Sequence, residues 1–154
     1  MKRQIEIEDS LEERTQGAIE ELKERLSTAL KEECERLDEE DKEEAMQEEG
    51  CPYKPGDLLP DIFEVIHEIA DSFVPIYTYE IEATWFLHSD KLEEAYENAG
   101  FGENPRENSG MVAIFCYIEQ ELCNFIYSGK EEDYLLEEWN KLLEEWEKSK
   151  KAQT

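Results

Sequence analysis

Residues 61–75 read DIFEVIHEIADSFVP, and two stripes of helical spacing run through them. Ile62, Phe63, Ile66, Ile69, Ala70 and Phe73 recur in steps that predict one buried helix face, while Asp61, Glu64, Glu68 and Asp71 recur three and four residues apart on another. The apolar stripe requires a core, so the stretch belongs to a folded helical domain. The acidic stripe is the anomaly. Like charges at this spacing each cost roughly 0.2–0.5 kcal/mol in a helix, and no lysine or arginine interrupts the row.

The same imbalance extends over the whole chain of 154 residues, whose 42 acidic and 16 basic side chains give a formal charge of −26. Such a charge with scarce apolar residues signifies disorder. Here hydrophobic residues make up 39%, and the three Trp, seven Tyr and six Phe concentrate beyond residue 50, so the chain has the means to bury a core. Nucleic acid and anionic membrane are repelled by such a protein and are excluded as partners. No stretch of about 18 apolar residues exists, and the charged start MKRQIEIEDS lacks the apolar segment of a secretion signal. The expected location is the cytoplasm. Cys34, Cys51, Cys116 and Cys123 form no CxxC pair and predict reduced thiols without a disulfide.

On both sides of 61–75 the same periodicity predicts an all-helical chain. Residues 9–49 lack aromatics and carry Leu11, Ile19, Leu22, Leu26, Leu30, Cys34 and Leu37 in a narrow stripe, which predicts one long amphipathic helix with the spacing of a coiled-coil seam. Ser10 with Glu13 reads as a capping box. CPYKPG, residues 51–56, ends that helix and sets the expected boundary between an N-terminal helical extension, 1–50, and a compact helical domain, 51–154. Within the domain the expected helices are 60–73, with Pro60 in the first turn, 76–88, whose β-branched and aromatic content also fits an extended segment, 90–99, 111–129 and 131–148. GFGENPRENSG, residues 100–110, reads as a loop. In the last helix Leu135, Trp139, Leu142 and Trp146 form the predicted apolar stripe.

Catalytic signatures are missing: there is no GxGxxG, Walker loop, GxSxG or HExxH. His67 beside an apolar stripe reads as a hydrogen-bonded boundary residue rather than a base, and Cys116 and Cys123, seven apart, as core side chains rather than zinc ligands. Residues 38–50, DEEDKEEAMQEEG, lack the alternating ligands of a calcium loop. The expectation is a protein with no catalytic residues, no cofactor and no metal.

The charge distribution is more informative. Residues 1–50 hold 19 acids and 8 bases, with Glu20–Lys23 and Glu21–Arg25 at helical pairing distances, whereas Asp57 to Glu147 span 23 acids and only four bases, Lys91, Arg106, Lys130 and Lys141. A solvated surface needs no such excess for solubility. A duplex carries about one charge per 1.7 Å, so 26 charges match roughly 13 base pairs. Carboxylates spaced three and four along a helix lie roughly 4.5–6 Å apart. The pattern predicts mimicry of DNA through Asp57, Asp61, Glu64, Glu68, Asp71, Glu80, Glu82, Glu93, Glu94, Glu97, Glu131, Glu132, Asp133, Glu137, Glu138, Glu144 and Glu145. The other reading is an acidic adaptor that pairs with a partner helix through the leucine stripe of residues 9–49.

Residues 61–81, DIFEVIHEIADSFVPIYTYEI, resemble the Ocr family of phage antirestriction proteins through Asp61, Ile66, His67, Ala70, Asp71, Val74, Pro75, Tyr77 and Ile81. A looser likeness covers 57–147. The resemblance implies an all-helical homodimer that mimics bent DNA, has no catalytic activity, and occupies the DNA cleft of type I restriction-modification or BREX-type enzymes in the bacterial host. It makes His67, Val74 and Pro75 scaffold residues. Only Asp61 and Asp71 match among the acids; the other positions follow from spacing alone. The N-terminal fifty residues and the ending SKKAQT depart from the family and leave other targets open: a CRISPR effector, a nuclease or a glycosylase.

Overall fold

The computed structural model describes residues 10–48, 50–100 and 110–152, and among these it contains seven helices and no strand. They are α1 (Ser10–Arg36), α2 (Glu39–Gln47), α3 (Pro55–Leu58), α4 (Ile62–Ser72), α5 (Thr78–Asn98), α6 (Gly110–Tyr127) and α7 (Lys130–Ala152). The all-α reading holds, and the chain opens with a long amphipathic helix. The side chain of Ser10, most of the expected loop at 100–110, and Arg106 lie outside the described residues.

The expected single helix over 9–49 is broken. Asp38 adopts extended backbone and its Oδ1 accepts the N–H of Asp41 at 2.8 Å, so it caps a new helix instead of continuing the old one. The predicted boundary at CPYKPG also fails to divide the chain: residues 55–58 form α3, and contacts separate one unit, Met1–Leu22 with Phe63–Asn124, from another, Lys23–Ile62 with Phe125–Thr154. The N-terminal fifty residues contribute to both.

In the first unit, α1 buries Leu11, Thr15, Ala18 and Leu22, α4 buries Ile66, Ile69 and Ala70, and α6 buries Ala113, Ile114, Cys116, Ile118 and Leu122. Each large aliphatic side chain so placed contributes about 1.5–3 kcal/mol relative to exposure. Thr15 and Ala18 occupy stripe positions that the leucine count passed over. The Thr15 hydroxyl is tolerated there because it donates to the carbonyl of Leu11 at 2.7 Å. Helix α4 ends where Val74 donates to Asp71 O at 3.4 Å and Pro75, lacking an N–H, cannot extend the ladder. The two helices predicted over 76–88 and 90–99 are one element, α5, kinked at His88, whose backbone (φ −126°, ψ 27°) leaves the helical region.

In the second unit, Leu26, Leu30 and Cys34 of α1, Leu58 of α3, and Leu135, Trp139 and Leu143 of α7 are buried. Leu143 replaces the predicted Leu142, and Trp146 is half-buried, because the buried positions of α7 advance in steps of four throughout. Tyr134 donates its hydroxyl to Lys23 O at 3.1 Å, and the Lys23 ammonium lies over the rings of Phe125 and Tyr134. Gly129, at φ +85°, takes the left-handed conformation that closes α6 and lets α7 start at Lys130. Tyr53 packs edge-on against Trp139 with ring centroids 5.5 Å apart.

The leucine stripe expected to receive a partner helix is therefore occupied. Leu22, Leu26 and Leu30 are fully buried within this chain, which removes the apolar seam on which the adaptor reading rests. Phe63 departs in the opposite direction. Placed with the core by spacing, it is 60% exposed, because at about 100° per residue it lies at the edge of the Ile62–Ile66–Ile69 stripe.

Candidate functional site

The acidic rows are placed by the same periodicity that builds the core. On α4, Glu64, Glu68 and Asp71 are exposed and fall roughly opposite the buried Ile66, Ile69 and Ala70. Asp61 is exposed in the turn just before the helix. Helical rise separates successive positions of the row by roughly 4.5–6 Å. Beyond the His88 kink, α5 repeats the arrangement: Leu92 and Ala95 are buried, while Asp90, Glu93, Glu94 and Glu97 take the exposed sector. Glu82 is exposed on the first half of the same helix.

Glu80 belongs to a different class. Its Oε2 lies 2.6 Å from Nη2 of Arg14, whose Nη1 also donates to Phe73 O at 2.9 Å. Its charge is compensated within the first unit, and the expectation that it stands bare is corrected.

His67 interrupts the α4 row in sequence and is exposed. Its Nδ1 lies 3.3 Å from Glu119 Oε2, and its ring meets Phe115 edge-on at 4.8 Å. It is a hydrogen-bonded boundary residue, as its position beside the stripe predicts. Among the described residues no group of three or more His, Cys, Asp or Glu side chains is placed to hold a metal ion.

In the second unit the predicted acids divide further. Glu132, Asp133, Glu144 and Glu145 are exposed on α7. Glu137 is exposed with Lys141 Nζ at 3.9 Å, and Glu138 is half-buried, with Lys141 Nζ at 3.7 Å and the Ser27 hydroxyl donating to it at 3.5 Å. Asp57 is exposed, yet its Oδ2 accepts the N–H of Lys54 at 3.1 Å and so serves the start of α3. Glu131 is 5% exposed with Oε2 lacking a hydrogen-bond partner. A carboxylate in that position cannot present itself to a protein groove, and its place among the phosphate-mimicking acids is withdrawn. The sequence signal was available: Glu131, Leu135, Trp139 and Leu143 share one four-residue register.

The sequence reading missed a set of exposed apolar and aromatic side chains in the first unit. Ile76, Tyr77, Tyr79 and Phe86 are 76%, 57%, 61% and 83% exposed, and the Tyr77 and Tyr79 rings stack with centroids 5.8 Å apart. Its signal lay in the charge-free run IYTY, residues 76–79, and in Tyr79 and Phe86 standing seven apart on one helical face.

Burial pushes all four thiols up from their ordinary range, with the Glu119 charge adding to it at Cys116 and Cys123, so they stay protonated at neutral pH. Among the described residues no helix is long and apolar enough to cross a membrane. Comparison with protein-family models, with curated proteins and with solved structures yields no match.

Proposed function

We propose that this protein is a DNA mimic, an anti-defence protein of a phage or mobile element that occupies the DNA-binding cleft of a bacterial restriction-modification or BREX-type enzyme and catalyses nothing. The observation that carries the reading is the placement of Glu64, Glu68 and Asp71 on α4, with Glu93, Glu94 and Glu97 on α5, as exposed carboxylates at helical steps facing away from a buried stripe. A rigid helix with a core on one side holds such charges at fixed intervals, and a cleft lined by Lys and Arg gains affinity from that spacing as it does from phosphates. The resemblance of residues 61–81 to the Ocr family names the target class. The protein acts in the cytoplasm of the bacterial host. It pairs as a homodimer through the exposed apolar and aromatic side chains Ile76, Tyr77, Tyr79 and Phe86, beside which Glu82 is also exposed.

The experiment is competition: a type I restriction-modification enzyme on its labelled DNA site, with this protein titrated in. Displacement near stoichiometry supports the reading, provided that Glu64→Gln, Glu68→Gln, Asp71→Asn, Glu93→Gln and Glu97→Gln introduced together abolish it. Displacement that survives those five changes assigns inhibition to another surface. No displacement moves the target to a CRISPR effector, a nuclease or a glycosylase, to be tested in the same format.

A further inference from the structure

We propose that α2 is a charge-latched arm, held against the C-terminal end of α7 by Lys42, Glu43, Trp146 and Lys150 and released by a basic partner that competes for Glu43. Nine residues long, α2 buries none of them. Isolated helices shorter than about 12–15 residues do not persist in water, so α2 is helical because something holds it. Its first turn is well supplied, with the Asp38 cap and with Glu39, Glu40 and Asp41 at the positive end of the helix dipole. Its last turn carries no cation.

The contacts that hold it lie within the second unit and join the exposed Glu43 to the half-buried Lys42, Trp146 and Lys150. Lys150 Nζ meets Glu43 Oε1 at 2.5 Å. The ammonium groups of Lys42 and Lys150 lie 5.7 and 5.1 Å from the centroid of the Trp146 ring. An open groove of about 300 Å³ lies at this contact, lined by Glu43, Met46, Trp146, Glu147, Lys150 and Lys151. The chain has a joint at each end of the arm: extended backbone at Asp38, and Gly50 in the left-handed region at φ +95°. Exposed cation–π contacts and surface ion pairs are each weak, and both depend on charges for which a Lys- or Arg-lined surface competes directly. Glu39, Glu40, Asp41, Glu43 and Glu44 are exposed in the held arm; release frees Glu43 from Lys150 for that partner and uncovers Trp146.

Hydrogen exchange of the full-length protein, read by mass spectrometry over residues 39–47 and over 26–34, tests it. Lys150→Gln and Trp146→Leu each accelerate exchange in 39–47 by about tenfold and leave 26–34 protected, whereas Lys150→Arg stays near the wild type. The paired reversal Glu43→Lys with Lys150→Glu recovers much of the protection that either reversal alone removes. The latch is overturned if 39–47 exchange in the wild type at the rate of an unstructured peptide, or if neither Lys150→Gln nor Trp146→Leu accelerates them. It is equally overturned if 26–34 accelerate in parallel, which signifies opening of the whole unit, or if the paired reversal rescues nothing.

Discussion

The guanidinium of Arg14 lies 2.6 Å from the carboxylate of Glu80 while its other terminal nitrogen caps the carbonyl of Phe73. One α1 side chain thus fastens both the end of α4 and the start of α5, bridging the Val74–Pro75 break where backbone hydrogen bonding lapses. Both side chains of the ion pair are about three-quarters buried, so the pair is worth more than a surface bridge. Arg14→Ala should cost about 1.5–3 kcal/mol, the value of hydrogen bonds to charged groups. Arg14→Lys, which cannot reach both partners with a fork, should recover less than half of it. A urea-unfolding midpoint that does not move in Arg14→Ala removes this fastening from the account of stability. Glu80→Gln should leave target competition unchanged, since that carboxylate is already spoken for.

Gly17 is the close-approach point of the same unit. A Cβ built there would lie 2.7 Å from Cε1 of Phe73, a distance that forces the ring or the helix to move. Gly→Ala in a helix interior ordinarily gains about 1 kcal/mol, while overpacking costs about 1–3 kcal/mol. Gly17→Ala should therefore be a net loss of about 1 kcal/mol, turned into a gain when combined with Phe73→Leu. A stabilised single mutant shows that the ring yields without cost.

These two relationships also mark how far the sequence was legible. The helical class and the elements beyond residue 61 follow from apolar steps of three and four, a signal made strong by long amphipathic segments. The break at Asp38 was missed because acidic residues on both sides fit either a continued helix or a fresh cap, and only the Asp41 N–H accepted by Asp38 decides between them. The division of the chain was missed because a Pro-Gly cluster marks a turn, while unit membership depends on contacts such as Arg14 with Glu80, 66 residues apart in the chain. Most predicted acids are exposed because the core claims the opposite face. Glu80 failed because spacing cannot tell a carboxylate that faces a guanidinium from one that faces water, and Glu131 because its register with Leu135, Trp139 and Leu143 was passed over.

Charge gives a prediction whose two parts have opposite signs. Folding of a chain at −26 works against its own repulsion, so raising salt from about 50 to about 200 mM should stabilise the protein as the Debye length contracts. The same change should weaken competition with DNA for the target by at least roughly tenfold. Thermal unfolding and the competition assay in matched buffers check both. Within this test Glu131→Gln is the internal control: a buried carboxylate contributes nothing to a partner's groove, so its neutralisation should leave competition as it was, whereas the exposed acids of α4 lower it in graded steps.

Alkali should loosen the fold. Burial raises the thiols of Cys34, Cys51, Cys116 and Cys123 from an ordinary 9.0 and the phenols of Tyr53 and Tyr117 from 10.0, with nearby carboxylates such as Glu33 and Glu121 adding to the phenol shifts. Each group is thereby favoured in its protonated form when folded. Above the ordinary thiol range the native chain binds more protons than the unfolded one, νU − νN is negative, and stability falls as pH rises. The contribution is fully present below about pH 9 and is lost as pH passes through the raised folded values, thiols before phenols. Urea midpoints at about pH 8, 9.5 and 10.5 should decline in that order. Tyr117→Phe should flatten only the upper part of the decline, and Cys116→Ala the lower. A midpoint constant across that range would show that these groups reach water in the folded protein as readily as in the unfolded chain.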